Sequence, residues 1–226
     1  MNSPRDLRTG GTGPHAGQPL ASWGASVDTA DAAMILLHGR GSEAAGIIDL
    51  AALLAMPTVT AVAPDARDRT RYPHRFTDPV SWNEPYLSSA LSVVEAIIAG
   101  LIAGGLADEK IILVGFSQGA CLALECAARH RGSLGGVIAF SGGLIGATLD
   151  PSAYSRHDGM PVFLGCSKRD PHIPLTRVRE TERLFLGLGA DVQTRLYEGS
   201  DHGINPDELA SAKALVHSVA KASHGH

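Results

Sequence analysis

Cysteine is scarce in this 226-residue chain, with only three: Cys121, Cys126 and Cys166. They fall in apolar helix-like or strand-like segments without metal-ligand spacing. A disulfide framework is therefore excluded, and buried reduced thiols of a cytoplasmic protein are expected. A surplus of charge is lacking as well. Nineteen Lys and Arg against 23 Asp and Glu leave a net charge of −4, which argues against a general binder of nucleic acid or anionic membrane. No stretch approaches the ~20 apolar residues of a membrane span. Met1-Asn2-Ser3-Pro4-Arg5-Asp6 leads into Gly, Thr and Pro instead of an apolar segment, so no secretory signal is expected. Internal repeats and a second domain are also missing.

What remains is enough for one ample core, since 44% of the residues are hydrophobic. Strand-like runs at Ala33–Leu37, Thr58–Ala63, Ile111–Gly115, Gly136–Ser141, Pro161–Cys166 and Val192–Tyr197 alternate with helix-like segments. The latter are Ala44–Leu54, Leu87–Ala103, Gln118–His130, Leu175–Leu188 and Asp207–Ala222. This alternation predicts an α/β fold, a mostly parallel sheet with helices on both faces. Residues 1–31 read as an irregular arm with at most an edge strand, and 32–226 as one domain. Asn205, Pro206 and Glu208 form a start signal for the last helix.

Gly115-Phe116-Ser117-Gln118-Gly119 lies between an apolar run and a helix-like segment. Among 26 glycines, G-x-S-x-G alone is a weak signal and could be a plain tight turn. At a strand-to-helix junction it predicts a nucleophile elbow, in which a strained turn lifts the serine hydroxyl above the sheet. The order of further residues agrees. Asp170 and then His202 follow strand-like runs, at the sheet edge where open α/β folds carry their sites. A serine hydroxyl needs a base, and the base needs an anionic orienter. His172 is a rival to His202, and Asp201 and Asp158 are rivals to Asp170. His130 reads as a helix-end residue, His157 as a polar-loop residue, and His15, His217, His224 and His226 as solvated surface or fraying tail. Upstream, His38-Gly39-Arg40-Gly41-Ser42 follows another buried run, so the backbone N–H groups of Arg40 and Gln118 are the expected oxyanion donors.

Together, His38-Gly39-Arg40-Gly41, the serine elbow, Asp170 and Asp201-His202-Gly203 resemble the phospholipase/carboxylesterase family of α/β-hydrolases, which includes acyl-protein thioesterases. The resemblance covers roughly residues 32–220 and implies an α/β-hydrolase fold without a large cap. It also implies a carboxylesterase acting through an acyl-enzyme, with acyl thioesterase or lysophospholipase as alternatives. Tyr72-Pro73 and Asn83-Glu84-Pro85 resemble the bacterial carboxylesterases of the family, and Arg40 stands where thioesterases carry an apolar residue. A different class, a non-catalytic binding protein on this fold, would be expected to have lost one of the three polar positions.

The stretch from Pro64 to Pro85 is long for a strand-to-helix connection and should overhang the site. Its Arg67, Arg69, Arg71 and Arg75 form either a wall for anionic substrates or a solvated cluster balanced by Asp65, Asp68 and Asp78; Glu84 could hold one of them. Gly39, Tyr72, Trp82, Leu144 and Ile173 are the expected substrate-binding residues, with Ile145 and Ile204 as further apolar candidates; Leu144, Ile145, Ile173 and Ile204 follow strand ends and are either an acyl pocket or ordinary core. A small-molecule ester is the expected partner, without nucleic acid, metal or organic cofactor, and a homodimer is left open.

Overall fold

The computed structural model describes residues 9–222; the expectations for His224 and His226 lie outside them. Seven strands of the described residues form one sheet: β1 (Leu20–Gly24), β2 (Ala32–Leu37), β3 (Val59–Pro64), β4 (Ile111–Phe116), β5 (Gly136–Phe140), β6 (Pro161–Ser167) and β7 (Asp191–Tyr197). Their order is β1-β3-β2-β4-β5-β6-β7. Only β1 runs antiparallel, pairing Leu20 with Pro64 and Gly24 with Thr60. The segment 1–31, read as an irregular arm with at most an edge strand, thus supplies that edge strand.

Among the described residues five α-helices cover the sheet: α1 (Ala44–Leu54), α2 (Tyr86–Ala103), α3 (Gln118–Arg129), α4 (Leu175–Gly187) and α5 (Pro206–Lys221). The central strands read as continuous apolar runs because both of their faces are buried. Successive side chains alternate between two cores. Ala33, Ile35 and Leu37 join Ile111, Leu113, α2 and α3 on one side. Met34 and Leu36 join Ile112, Val114, Phe140, α1 and α5 on the other. Helix α3 is buried from Gln118 through Ala128, which places the elbow at the centre of the molecule.

Helix α2 differs from the expectation about membrane spans. Its 18 residues are long and apolar enough to cross a bilayer. Leu87, Val94 and Ile98, however, pack in the core, and a buried core helix meets the same length and composition test.

The chain reverses its direction of travel across the sheet between β2 and β4, which are direct neighbours and pair Leu37 with Gly115. A parallel sheet opens a crevice at such a switch point. The loop after β2 and the turn after β4 therefore meet at the same edge, and the turns after β6 and β7 arrive beside them.

Candidate active site

Ser117 sits between β4 and α3 at φ 54°, ψ −118°, a left-handed backbone that a residue with a side chain rarely adopts. Two glycines make the turn fit. A Cβ on Gly115 would lie 2.4 Å from the Gly119 carbonyl, and one on Gly119 would lie 1.9 Å from the Leu37 oxygen. Ser117 N–H donates to the Phe140 carbonyl at 2.9 Å, which fixes the turn against β5.

The Ser117 hydroxyl lies 2.8 Å from His202 Nε2, and His202 Nδ1 lies 2.7 Å from Asp170 Oδ2. The Asp170 side chain is fully buried, and its other oxygen accepts the N–H groups of His172 at 2.8 Å and Ile173 at 3.0 Å. Burial alone would raise the Asp170 pKa. The bonds from His202 and from the two backbone N–H groups outweigh burial and hold it below the ordinary carboxylate value. An ionised carboxylate only accepts, so Nδ1 carries the imidazole proton and Nε2 is free to accept from the serine. This geometry suits removal of the hydroxyl proton.

The rivals lie elsewhere. The His172 ring stands edge-on to His202 at 4.8 Å and forms a wall. The backbone carbonyl of Asp201 takes the Ser167 hydroxyl at 2.7 Å, and Asp158 pairs with Arg156 on the surface.

The loop after β2 comes against the elbow because residue 39 is glycine; an added Cβ there would lie 3.4 Å from Ser117 Cβ. The Arg40 and Gln118 N–H groups have no protein acceptor among the described residues. For Gln118, at the start of a helix, that is the ordinary condition.

The side chains of both residues grip the long loop. Arg40 donates to the carbonyls of Tyr72 (2.8 Å), Pro73 (2.9 Å) and His74 (3.0 Å). Gln118 accepts from the Arg71 N–H at 2.9 Å and donates to the Tyr72 carbonyl at 2.8 Å. Buried Asn83 continues the bracing through His74 N–H and the Arg75 carbonyl.

A cavity of 1070 Å³ surrounds Ser117 and His202. Gly39, Tyr72 and Ile173 line it, as do Arg40, Gln118 and Ile204. Leu144 and Ile145 do not; both are buried in the core, where Leu144 N–H meets Thr181 Oγ1. Trp82 is absent from the lining too. Its ring lies 58% exposed beyond the cavity, edge-on to His74. Sequence reasoning missed the wall contributed by Ile47, Leu50 and Leu53 of α1. Its signal was an apolar set wider than one core stripe: Leu53 is 57% exposed although Ala44, Ile47, Ala51 and Leu54 already bury a face.

The arginine cluster divides. Arg75 lines the cavity, whereas Arg69 pairs with Glu43 at 2.9 Å and Arg67 faces Asp68 at 3.7 Å. Arg71 is buried, donating to the His38 and Pro64 carbonyls. Glu84 holds no arginine; it accepts from the N–H and hydroxyl of Ser88 at the start of α2. His15 is not a solvated residue but is buried against the same loop, its ring meeting Arg67 N–H at 3.0 Å and the Arg71 carbonyl at 2.9 Å. His157 is buried on the Ala128 carbonyl, and His217 is half-buried on α5. The thiols are free and buried, and burial pushes Cys121, at the cavity floor, up to about 12, so it stays protonated.

Known proteins resemble this chain in sequence and in fold. A phospholipase/carboxylesterase from Dyadobacter fermentans superposes with a TM-score of 0.86 at 37% identity, covering 94% of this chain and all of the other. Esterase PE8 superposes at 0.75 with 27% identity over the same shares. Acyl-protein thioesterase 1 of Eremothecium gossypii is 29% identical over 202 residues, 81% of this chain and 86% of that protein. The sequence profile described as Phospholipase/Carboxylesterase matches residues 24–220. On the length of that match, this chain, with its α/β-hydrolase fold, belongs to the phospholipase/carboxylesterase family of hydrolases.

Proposed function

We propose that the chain is a serine carboxylesterase with Ser117 as nucleophile, His202 as base and Asp170 as orienter. The observation that carries this reading is the unbroken relay from Ser117 Oγ to His202 Nε2 at 2.8 Å and from His202 Nδ1 to Asp170 Oδ2 at 2.7 Å. Ser117 Oγ bonds to the ester carbonyl carbon as its proton passes to Nε2. The carbonyl oxygen becomes an oxyanion facing the N–H groups of Arg40 and Gln118, beside the positive end of α3. Collapse breaks the carbon–oxygen bond, and the imidazolium returns its proton to the leaving alcohol. Water, deprotonated by His202, then attacks the acyl-enzyme and releases the acid and the serine.

The 1070 Å³ cavity with its apolar α1 wall fits short-to-medium acyl esters. A thioester reading uses the same chemistry and has the name of the Eremothecium relative in its favour. A binding protein without catalysis gives no reason for keeping the relay intact.

A fluorophosphonate is expected to label Ser117 stoichiometrically and abolish ester hydrolysis. Ser117→Ala and His202→Ala should each lower kcat by roughly four to six powers of ten. Asp170→Asn should lower it by roughly 10⁴ through the wrong imidazole tautomer. Full activity in Ser117→Ala, or in His202→Ala beside an inactive His172→Ala, would overturn these assignments. p-Nitrophenyl esters assayed beside acyl thioesters decide between the two substrate readings.

A further inference from the structure

His38 is buried to 1% exposure, and the relay above makes no use of it. Both of its ring nitrogens are engaged. The Ala66 N–H donates to Nε2 at 3.1 Å, so that nitrogen is an acceptor and carries no proton. The single proton of the neutral ring is therefore on Nδ1, which donates to the Gly39 carbonyl at 2.8 Å. The ring stays neutral because burial and the nearby Arg71 guanidinium push its pKa down to about 4.

The Gly39 carbonyl belongs to the same peptide unit as the Arg40 N–H. In a planar trans peptide the C=O and N–H point in opposite directions. Holding the carbonyl toward the imidazole therefore turns the Arg40 N–H away from it. Residue 39, the hinge of this unit, is a glycine and would otherwise be free to rotate, since little backbone preference opposes a flip. Its Cα lies against the elbow, where an added Cβ would touch Phe116 and Ser117 at 3.3 to 3.4 Å.

We propose that His38 is a positioning residue: through its Nδ1–H bond to the Gly39 carbonyl it locks the Gly39–Arg40 peptide in the orientation that presents the Arg40 N–H to the oxyanion. The inference rests on the esterase reading and assigns a role to a histidine that never touches the reacting atoms. A donor held in place before reaction is worth more than one that must be turned at the transition state. The lock acts on the charge that develops in the reaction and leaves ground-state ester binding alone.

Two substitutions separate the two ring nitrogens. An asparagine amide can occupy the place of Nδ1 and donate to the Gly39 carbonyl, but it does not reach Ala66. A glutamine amide reaches the place of Nε2 and can accept from Ala66 N–H, but leaves the Gly39 carbonyl free. His38→Asn should keep kcat for a p-nitrophenyl ester within about fivefold of the parent. His38→Gln and His38→Ala should lower kcat roughly 10- to 1000-fold, up to the loss of one oxyanion donor, with KM little changed. Unchanged kcat in His38→Gln, or a loss in His38→Asn that exceeds that in His38→Gln, overturns the proposal and leaves the ring as a support for Ala66. A rise in KM matching the fall in kcat/KM also overturns it. The parent protein gives a test free of folding effects: nitrogen NMR of His38 should show a protonated Nδ1 and a bare Nε2 at pH 7, and the opposite tautomer refutes the lock. Ser117→Ala run alongside separates the two ideas. If the parent has no Ser117-dependent esterase activity, the functional reading fails; if it has and His38→Gln matches the parent, only this inference fails.

Discussion

Single residues in this molecule are decided by how closely the backbone segments approach. Gly119 is the tightest such point, because its Cα abuts the end of β2, with the Leu37 oxygen 1.9 Å and the His38 oxygen 2.7 Å from where a Cβ would stand. Backbone cannot move aside as a flexible side chain can. Gly119→Ala should therefore cost at least about 1–3 kcal/mol, which for a chain of this size lowers Tm by roughly 2–12 °C. It should also lower kcat, since the displaced β2 end carries the Arg40 loop. An unchanged Tm would mean that β2 and α3 do not approach this closely in solution. The residues that sequence reading placed together were those with a chemical reason to be together: Ser117, Asp170 and His202. It left Leu144 undecided between pocket and core and misplaced Trp82 and His15, because whether an apolar loop side chain faces core, cavity or solvent is set by packing distant in sequence. His15 looked solvated from its nearness to the chain end, but Ser89 and Arg71, which hold it, lie more than 50 residues away.

At the scale of elements, strand and helix positions were legible almost throughout, since the central strands are apolar on both faces and α5 opens with a capping box of Asn205 and Glu208. Edge strand β1 was allowed for within residues 1–31 but could not be placed: its partly exposed Leu-Ala-Ser-Trp-Gly has no long apolar run, and the pairing with β3 is what makes it a strand. Joints between elements were also hidden. His130, read as a helix-end residue, joins α3 to α2 and to the turn before β4, lying 3.2 Å from Glu95 and 3.0 Å from Asp108. The bond with Glu95 first, and that with Asp108 after the opposing effect of burial, raise its pKa to about 9. A histidine whose folded pKa is raised stabilises fully below its unfolded value of ~6.5, and that stability is lost as pH rises through the folded value. Thermal stability attributable to this joint should therefore decline between pH 6.5 and about 9. Comparing Tm across that range in the parent and in His130→Gln isolates it: the difference between the two should shrink as pH rises. A difference that is constant or grows would show that the joint does not hold a charged imidazole.

The whole molecule sets what the site can admit. Only the segment 141–160 joins β5 to β6, and apart from a three-residue 3₁₀ turn at Pro151–Ala153 it is irregular, so no cap closes over Ser117. The cavity is bounded instead by α1 and by residues 72–78 of the long loop, which Arg40, Gln118 and Asn83 hold through hydrogen bonds within the protein. A preformed wall of this kind needs no lipid surface to open it, so the rate on a long-chain ester should pass smoothly through the micellar concentration; a sharp rise there would contradict the arrangement. Charge selectivity narrows to Arg75, the arginine of the predicted cluster at positions 67, 69, 71 and 75 that lines the cavity. Its guanidinium has no ion-pair partner among the described residues, while Asp49 and Asp78 on the same lining oppose it. An exposed charge of this kind is worth roughly 0.2–1 kcal/mol, so Arg75→Ala should raise KM for an anionic ester about one and a half- to fivefold and leave a neutral one unmoved, and Arg67→Ala should alter neither. Acyl length is read by the α1 wall. Each methylene laid against Ile47, Leu50 and Leu53 can contribute at most about 0.8 kcal/mol, or roughly fourfold in kcat/KM. The profile should thus climb over the first few methylenes beyond acetate and flatten once the chain passes Leu53, the outermost and 57% exposed member of the wall. Leu53→Asp should lower kcat/KM for the medium-chain ester and spare acetate, and an equal loss on both would show that the acyl chain leaves the site by another route.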